Sequence, residues 1–557
     1  LTMRSPYPDV TIPDVDLWTN MFERKELPYS FDKDEVLFHD TNSTRKYTYG
    51  HLRATALKFG QSLCTEWKWQ KGDILAIISP NDIDFPAVVL GCMWAAGTVT
   101  TANPAYTADE LTTQLQDSGA KALVTHPACL KTALEAAKRS GIPQNRIILL
   151  GGSGGRQGLK HFTAIKGFSL LGRGNIARPY TIDAKNDIAF LVYSSGTTGK
   201  PKGVMLTHRN LVVNCLQVDT AWGQFLSSGS KTGEGARSIL FLPMFHIYGL
   251  MVNTWSALKG YETFTMPVFD LVKFCEIVQK EKITHNFVIP KVILGLAKHP
   301  IVAKYDLSSL RMLISAAAPL TKDLVNMCYA RLKIPIGQAY GMSETSPGTH
   351  VVPWDQWESA IASIGRPVSN TEAKIVAVDG GDAELGPNEE GELWVRGPQV
   401  FKGYHNNPTA TANSVTPDGW YKTGDVAYVN EKGFFYITDR VKELIKYNGF
   451  QVAPAELEGL LLAHPQIEAA AVIGLFYEDI ATEVPRAYVV VKKGVEKNQE
   501  TAEGIANWLK ERTAYHKWLR GGVKFVDEIP MNASGKILRK ELKALAEREG
   551  RGRVWKL

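Results

Sequence analysis

The stretch "LVYSSGTTGKPKG", residues 191–203, runs from an apolar strand into small hydroxyls, glycines and two lysines, with no acidic residue among them. Ser194, Ser195, Thr197 and Thr198 offer hydroxyl donors, Gly196 and Gly199 let backbone N–H groups approach a ligand, and Lys202 adds positive charge. These are the ingredients of a phosphate cradle. It is not a Walker loop, which needs G-x-x-x-x-G-K-[ST] and a helix starting on the spot. Here Pro201 follows Lys200, "GVML" reads as a second strand, and Thr207 is placed to cap the helix after it. A loop between two strands, with no helix dipole at its base, can close over a triphosphate. A plain hairpin turn has no use for so many hydroxyls.

Around this loop the first part of the chain alternates helix-like stretches ("HLRATALKFGQSL", 51–63) with β-branched runs ("DILAIIS", 73–79; "AKALVTH", 120–126; "RIILL", 146–150). That alternation predicts α/β layering with largely parallel sheets. Residues 151–181 are glycine-rich without clear periodicity and read as a long surface loop. Strand and helix alternate again at 237–255 and 284–297. From about Glu390, "GELWVRGPQVFKGYHN" and "GWYKTGDVAYVNEKGFFYITDR" predict antiparallel strands and tight turns. Past Arg440 a smaller unit begins, with a helix at 455–464, strands "AAAVIG" and "RAYVVV", a helix over "AEGIANWLKERTAYHKW" and a last helix from Ile537. The expected organisation is a large N-terminal domain (1–438) of layered α/β subdomains plus a β-rich subdomain, a hinge (439–442), and a small mobile α+β C-terminal domain (443–557).

Composition narrows the partners. The 557 residues are 44% hydrophobic and 22% charged, with a net charge of +6; this predicts a large buried core and gives no footprint of nucleic-acid binding. The six cysteines, of which Cys64 and Cys92 are the nearest pair, have no redox or zinc spacing. Reduced thiols in an intracellular protein, cytoplasmic or peroxisomal, are the simple account. The apolar run within 83–108 is shorter than the roughly 20 residues a bilayer needs and is broken by Pro86, Gly91, Gly97 and Pro104, so a buried helix and a turn are expected, with no membrane span. No basic n-region and apolar h-region follow Met3, so a secretory signal is not expected, and Trp555-Lys556-Leu557 has a bulky residue where a peroxisomal address wants a small one.

Three patterns compete with the opening loop. "GGSGG" (151–155) matches the nucleophile elbow and would make Ser153 a serine-hydrolase nucleophile, but no helix pattern follows it. "GRGNIA" (172–177) follows no convincing strand, and "LLGGS" (149–153) has only a superficial likeness to a carrier attachment site.

"YSSGTTGKPKG", "QAYGMSET" (338–345), "YKTGDVA" (421–427), "DRVKELIKYNGFQVAPAELE" (439–458) and "NASGKILRKEL" (532–542) occur in the order found in acyl-adenylate-forming enzymes. The chain resembles that superfamily, most closely the 4-coumarate:CoA ligases. The resemblance implies an acid–thiol ligase using ATP, Mg²⁺ and coenzyme A in two half-reactions, with a monomer or weak homodimer expected. It implies that Ser194 to Lys202 embrace the phosphates, with Ser343 beside them and Glu344 associated with the metal. Tyr340 would stack on adenine next to Gly341, with Ser315 to Pro319, including Ala317, across the ring. Asp425 and Arg440 would hold the ribose. Lys536 would bridge carboxylate and nucleotide. Rotation at the hinge residue Lys442 would exchange Lys536 for a face carrying Lys446, Gly449 and Gln451, and His246 resembles an aromatic gate for the thiol.

The acyl pocket implied by the same resemblance takes His246, Tyr248, Val252, Gly295, Ala339, Pro347 and Gly348. None is charged, so the substrate is expected to be a small-molecule carboxylic acid with an apolar tail, aryl or medium-chain fatty. Ala339 and Gly348 replace the Gly and Val of the plant ligases, which predicts one narrower wall and a longer end. A luciferase-like oxygenase and a stand-alone enzyme that loads a carrier protein share the motifs and are the rival readings.

Overall fold

The computed structural model describes residues 2–24, 32–152, 155, 157–165, 177–194, 201–222, 235–378, 381–441, 443–447, 450–477, 480, 482–532, 535–550 and 555. The N-terminal part has a four-stranded sheet of Arg237–Leu240, Glu262–Thr265, Val36–Asp40 and Lys46–Thr48 and two larger layered sheets. In the seven-stranded sheet, Ile188–Ser194, Thr98–Ala102, Ile74–Ile78, Ala122–Thr125 and Ile147–Leu149 run parallel in that spatial order. Lys202–Thr207 and then Gly403–Tyr404 are added antiparallel at one edge. In the five-stranded sheet, His285–Val288, Met312–Ser315 and Ile336–Gly341 are parallel, and Gly348–Val351 and Arg366–Pro367 antiparallel.

The opening stretch folds as its residues predict: Ile188–Ser194 pairs antiparallel with Lys202–Thr207, Ser194 lying opposite Lys202. The Thr207 hydroxyl accepts from the Asn210 N–H at 3.1 Å, at the start of the helix His208–Trp222. The apolar run becomes a wholly buried helix, Phe85–Trp94, followed by a strand, Thr98–Ala102, where only a turn was expected. Its threonines are buried because Thr98, Thr100 and Thr101 donate to the carbonyls of Ile188, Leu191 and Phe245 at 2.7, 2.8 and 2.6 Å. Part of the expected surface loop is core: Leu159, Phe162 and Ile165 are buried, the Phe162 ring meeting Phe59 edge-on at 5.7 Å. Ser153, the hydrolase candidate, lies outside the described residues.

The β-rich part is an antiparallel sheet of Met3–Arg4, Glu372–Val376, Gly391–Arg396, Tyr421–Val429 and Phe435–Arg440. One apolar core runs through residues from Leu17 to Phe435, and a separate one from Ile445 to Ala546. The second belongs to an antiparallel pair, Ile467–Tyr477 and Thr482–Val491, extended by the parallel strand Val523–Phe525 and covered by helices. The two parts share a capping bond. Helix Pro454–Leu462 has Ala453 at its N-cap, which offers no side-chain acceptor. The Asp439 carboxylate, on the strand Phe435–Arg440, accepts from the Ala455 N–H at 3.0 Å instead. Among the described residues, no helix is long and apolar enough to cross a membrane.

Candidate active site

The motifs separated in sequence converge where the two layered sheets, the β-rich sheet and the C-terminal part meet. Asp425 and Arg440 face each other across neighbouring antiparallel strands, and the Arg440 Nε lies 3.2 Å from Asp425 Oδ1. The Tyr340 hydroxyl donates to Asp425 Oδ2 at 2.6 Å. The carboxylate is therefore buried but doubly held, each oxygen keeping a lone pair for a further donor. Burial and the Asp425 charge push the Tyr340 hydroxyl well above its ordinary value, so it stays a donor. His350 backs the Tyr340 ring edge-on at 6.0 Å.

Opposite, strand Met312–Ser315 ends in "SAAAP". Ser315 Oγ is buried without a hydrogen-bond partner among the described residues, and Ala317 has φ +74°. Left-handed backbone is costly for a residue with a side chain and persists where the surroundings impose it, as ligand clamps do. Gly341 must lack a side chain, since a Cβ there would sit 1.9 Å from the Pro347 carbonyl oxygen. That contact folds "GMSETSP" back on itself and buries Ser343 and Glu344 in a short 3₁₀ turn. Glu344 Oε1 accepts from the Tyr404 hydroxyl at 2.8 Å, and the Glu344 carbonyl accepts from the Phe401 N–H at 2.8 Å.

Lys536 comes to this place from the C-terminal part. The base of its loop is fixed by Arg539, which pairs with Glu443 at 2.8 Å and Glu458 at 2.7 Å. Gly535, at φ +81°, packs so that a Cβ would lie 3.2 Å from Ile289 of the large part. Burial and the Arg440 guanidinium pull the Lys536 ammonium down to about 8, while Asp425, Glu344 and Glu443 favour its charged form. His246 caps the helix Ile247–Lys259 through Nδ1, which accepts the Tyr248 N–H at 3.3 Å. Burial, assisted by the Lys536 charge, lowers His246 to about 4, so it is neutral at pH 7.

Of the acyl-pocket residues, Tyr248 is pinned by its hydroxyl to the carbonyls of Ile314 (3.2 Å) and Val288 (3.4 Å). Val252 is buried in the same helix, and Ala339 lies opposite Val351. At Gly295 a side chain would meet Leu271 at 3.5 Å. Lys446 is exposed on a short strand paired with the one holding Gln451. Ser195, Gly196, Thr197, Thr198, Gly199, Lys442 and Gly449 lie outside the described residues. Sequence reasoning missed Tyr404, whose "FKGYHN" surroundings read only as strand and turn, and Asn214, which holds the backbone of Gly348.

Residues 27–405 match the AMP-binding enzyme family and residues 456–536 the AMP-binding enzyme C-terminal domain. The chain belongs to this family of adenylate-forming ligases. Among curated relatives it is 37% identical over 559 residues to a probable 4-coumarate–CoA ligase 1 of Dictyostelium discoideum, covering 97% of each chain. It is 36% identical over 552 residues to 4-coumarate–CoA ligase 1 of Petroselinum crispum, covering 98% of this chain and 96% of the other. Among solved structures it is similar to ATP-bound MatB from Rhodopseudomonas palustris, with TM-score 0.82, 27% identity and coverage of 96% of this chain and 99% of that one. It is also similar to o-succinylbenzoate CoA synthetase from Bacillus subtilis with its acyl-adenylate intermediate, with TM-score 0.76, 25% identity and coverage of 95% and 98%.

Proposed function

We propose that the chain activates an apolar carboxylic acid, aryl or medium-chain fatty, in two steps. The carboxylate attacks the α-phosphorus of ATP and expels pyrophosphate; the thiol of coenzyme A then attacks the acyl carbon and AMP leaves. The observation that carries this reading is the doubly held Asp425 carboxylate, paired with Arg440 and bound by Tyr340, with Lys536 of the C-terminal part near enough to feel the charges of Asp425, Glu344 and Arg440. A cation delivered beside a ribose-binding carboxylate suits a reaction in which charge builds on phosphate and carboxylate oxygens together.

The remaining roles follow from chemistry. Asp425 accepts the ribose hydroxyls and Arg440 holds Asp425 in place. Tyr340 and the Ser315–Pro319 segment take the two faces of the adenine. Ser194 to Lys202, with Ser343, grip the phosphates. Neutral His246 and Tyr248 flank the acid, where the absence of charged lining residues selects an apolar tail. Among the described residues no three acidic, histidine or cysteine side chains gather as a metal cage. Glu344 is buried and has one oxygen bound to Tyr404. A single carboxylate suits Mg²⁺ that arrives on the triphosphate and keeps most of its oxygen ligands; Glu344 would hold it, and it would neutralise phosphate charge.

The division into 1–438, a hinge at 439–442 and 443–557 belongs to the same proposal, supported by the C-terminal part having an apolar core of its own, separate from those of the large part. Lys446, Gly449 and Gln451 would then serve the thiol step after rotation at Lys442. The test is a panel of carboxylic acids with ATP and Mg²⁺, following pyrophosphate with and without coenzyme A. Acid-dependent pyrophosphate and a thioester are expected. No acid-dependent pyrophosphate across a broad panel would overturn the reading, and acyl-AMP that is never passed to coenzyme A would favour carrier loading.

A further inference from the structure

Tyr404 stands between the strand that leaves the phosphate loop and the turn that carries Glu344. Its place is set by backbone pairing: Gly403–Tyr404 lies antiparallel to Lys202–Thr207, with Tyr404 opposite Val204. The ring is buried, its backbone N–H donates to the Thr411 hydroxyl at 2.9 Å, and Phe401 packs on it edge-on at 4.8 Å. From this fixed position it meets two charged groups at once. The hydroxyl donates to Glu344 Oε1 at 2.8 Å, and the Lys202 Nζ lies 4.9 Å from the ring centroid.

We propose that Tyr404 is a positioning residue for the nucleotide step: its hydroxyl fixes Glu344 so that the second carboxylate oxygen faces a divalent cation, and its ring holds Lys202 for the phosphates. This rests on the ATP-dependent ligase reading. Among the described residues Glu344 Oε2 makes no hydrogen bond, whereas Oε1 is taken, so the two oxygens are already unequal before any ligand arrives. An ammonium over an aromatic face is held electrostatically without losing its hydrogen-bond donors, so Lys202 stays available to phosphate oxygens.

The two functions separate by mutation. Tyr404→Phe keeps the ring and removes the hydroxyl; Tyr404→Leu removes both. The probes are ATP alone and ATP with MgCl₂, read as shifts in thermal unfolding, alongside Mg²⁺ titration of acid-dependent pyrophosphate release. For Tyr404→Phe we expect the ATP-alone shift of the unmutated protein, a Mg²⁺-dependent increment at least halved, and a roughly tenfold higher Mg²⁺ half-saturation with the KM for the acid unchanged, the size expected for one hydrogen bond to a charged group. Tyr404→Leu loses part of the ATP-alone shift as well. In a Glu344→Gln background, adding Tyr404→Phe should change the Mg²⁺ increment no further.

A Tyr404→Phe protein with an unaltered Mg²⁺ increment and half-saturation overturns the proposal, and so does a further loss in the Glu344→Gln background. Should Tyr404→Leu fail to fold, the phenylalanine variant and the double variant still decide. Failure of the ligase reading looks different: the unmutated protein would itself release no pyrophosphate with any acid.

Discussion

Asn214 holds Gly348 by both of its backbone groups, donating to the carbonyl at 2.7 Å and accepting the N–H at 2.9 Å. Asn214 is fully buried in the helix His208–Trp222, and its amide also donates to Gln217 at 3.1 Å. A side chain at Gly348 would point at Val218 (3.2 Å) and the Asn214 oxygen (3.5 Å). A side chain there would therefore press on the helix His208–Trp222. Asn214→Leu takes away the side-chain partner of both half-buried backbone groups of Gly348, and we expect it to cost about 1–2 kcal/mol of stability. The acid KM should rise while the ATP KM holds, as checked by thermal unfolding and steady-state kinetics.

Ala339→Gly removes one methyl from the strand facing Val351 without disturbing the Tyr340–Asp425 bond. The expected outcome is a wider range of ring-substituted acids accepted, with unchanged ATP kinetics. Identical kinetics across a panel of such acids would count against the pocket assignment.

Asp425→Asn replaces a charge-bearing acceptor between Tyr340 and Arg440 by an amide. Hydrogen bonds to charged groups contribute about 1.5–3 kcal/mol. The ATP KM should rise by at least about tenfold, and a given ATP concentration should raise the unfolding temperature less than in the unmutated protein.

Lys536 carries a pH signature. Its folded value, about 8, lies below that of an unfolded lysine. Below about 8 the cation is held at a cost in the folded protein, and between about 8 and the ordinary lysine range that cost is relieved, so this group adds stability as pH rises there. Activity runs the other way. The kcat/KM for acid-dependent pyrophosphate release should decline as pH rises through about 8, Lys536→Arg should move that limb upward, and Lys536→Ala should lower the first step by about 10²-fold or more.

Burial lowers His208 and His246 to about 4, and His285 and His350 to about 3. Unfolded histidines take up protons below about 6.5, so these four withdraw stability as pH falls from there towards 4. Asp82 and Asp439, raised to about 6 and about 7 by burial, act oppositely, being protonated in the folded chain while still charged in the unfolded one. His464 and His516 are lowered as well, and Glu390 and Glu458 raised, so the lowered histidines still outnumber the raised acids and predict a net fall in unfolding temperature between pH 6.5 and 4.5. A His285→Phe, His350→Phe double variant should flatten it; the same slope in both proteins would dismiss this cause.

What could be read from the sequence was local. Thr207 announces its helix, Pro201 rules out a helix inside the phosphate loop, and alternating apolar runs give the parallel strands. The strand Thr98–Ala102 escaped because its composition is polar, and only neighbouring carbonyls make burial of three threonines favourable. The packing of Phe162 depends on Phe59, far away in the chain. Four of the five motifs carry Tyr340, Glu344, Asp425, Arg440 and Lys536. Tyr404 and Asn214 belong to no such motif. Their work depends on strand register and helix docking, which bring Tyr404 to Glu344 and Asn214 to Gly348 across long stretches of sequence.

The capping bond from Asp439 to the Ala455 N–H means that the C-terminal helix Pro454–Leu462 borrows its first acceptor from a strand of the large part. A gene split within 439–442 would give a small fragment with its own apolar core but a frayed first helical turn. Its large counterpart would keep Asp439 buried without the Ala455 amide at its second oxygen. Each fragment thus retains half of a recognition element for the other, and mixing the two should re-form the bond between separate chains, so that complementation would report on how firmly this one contact holds the two parts in register.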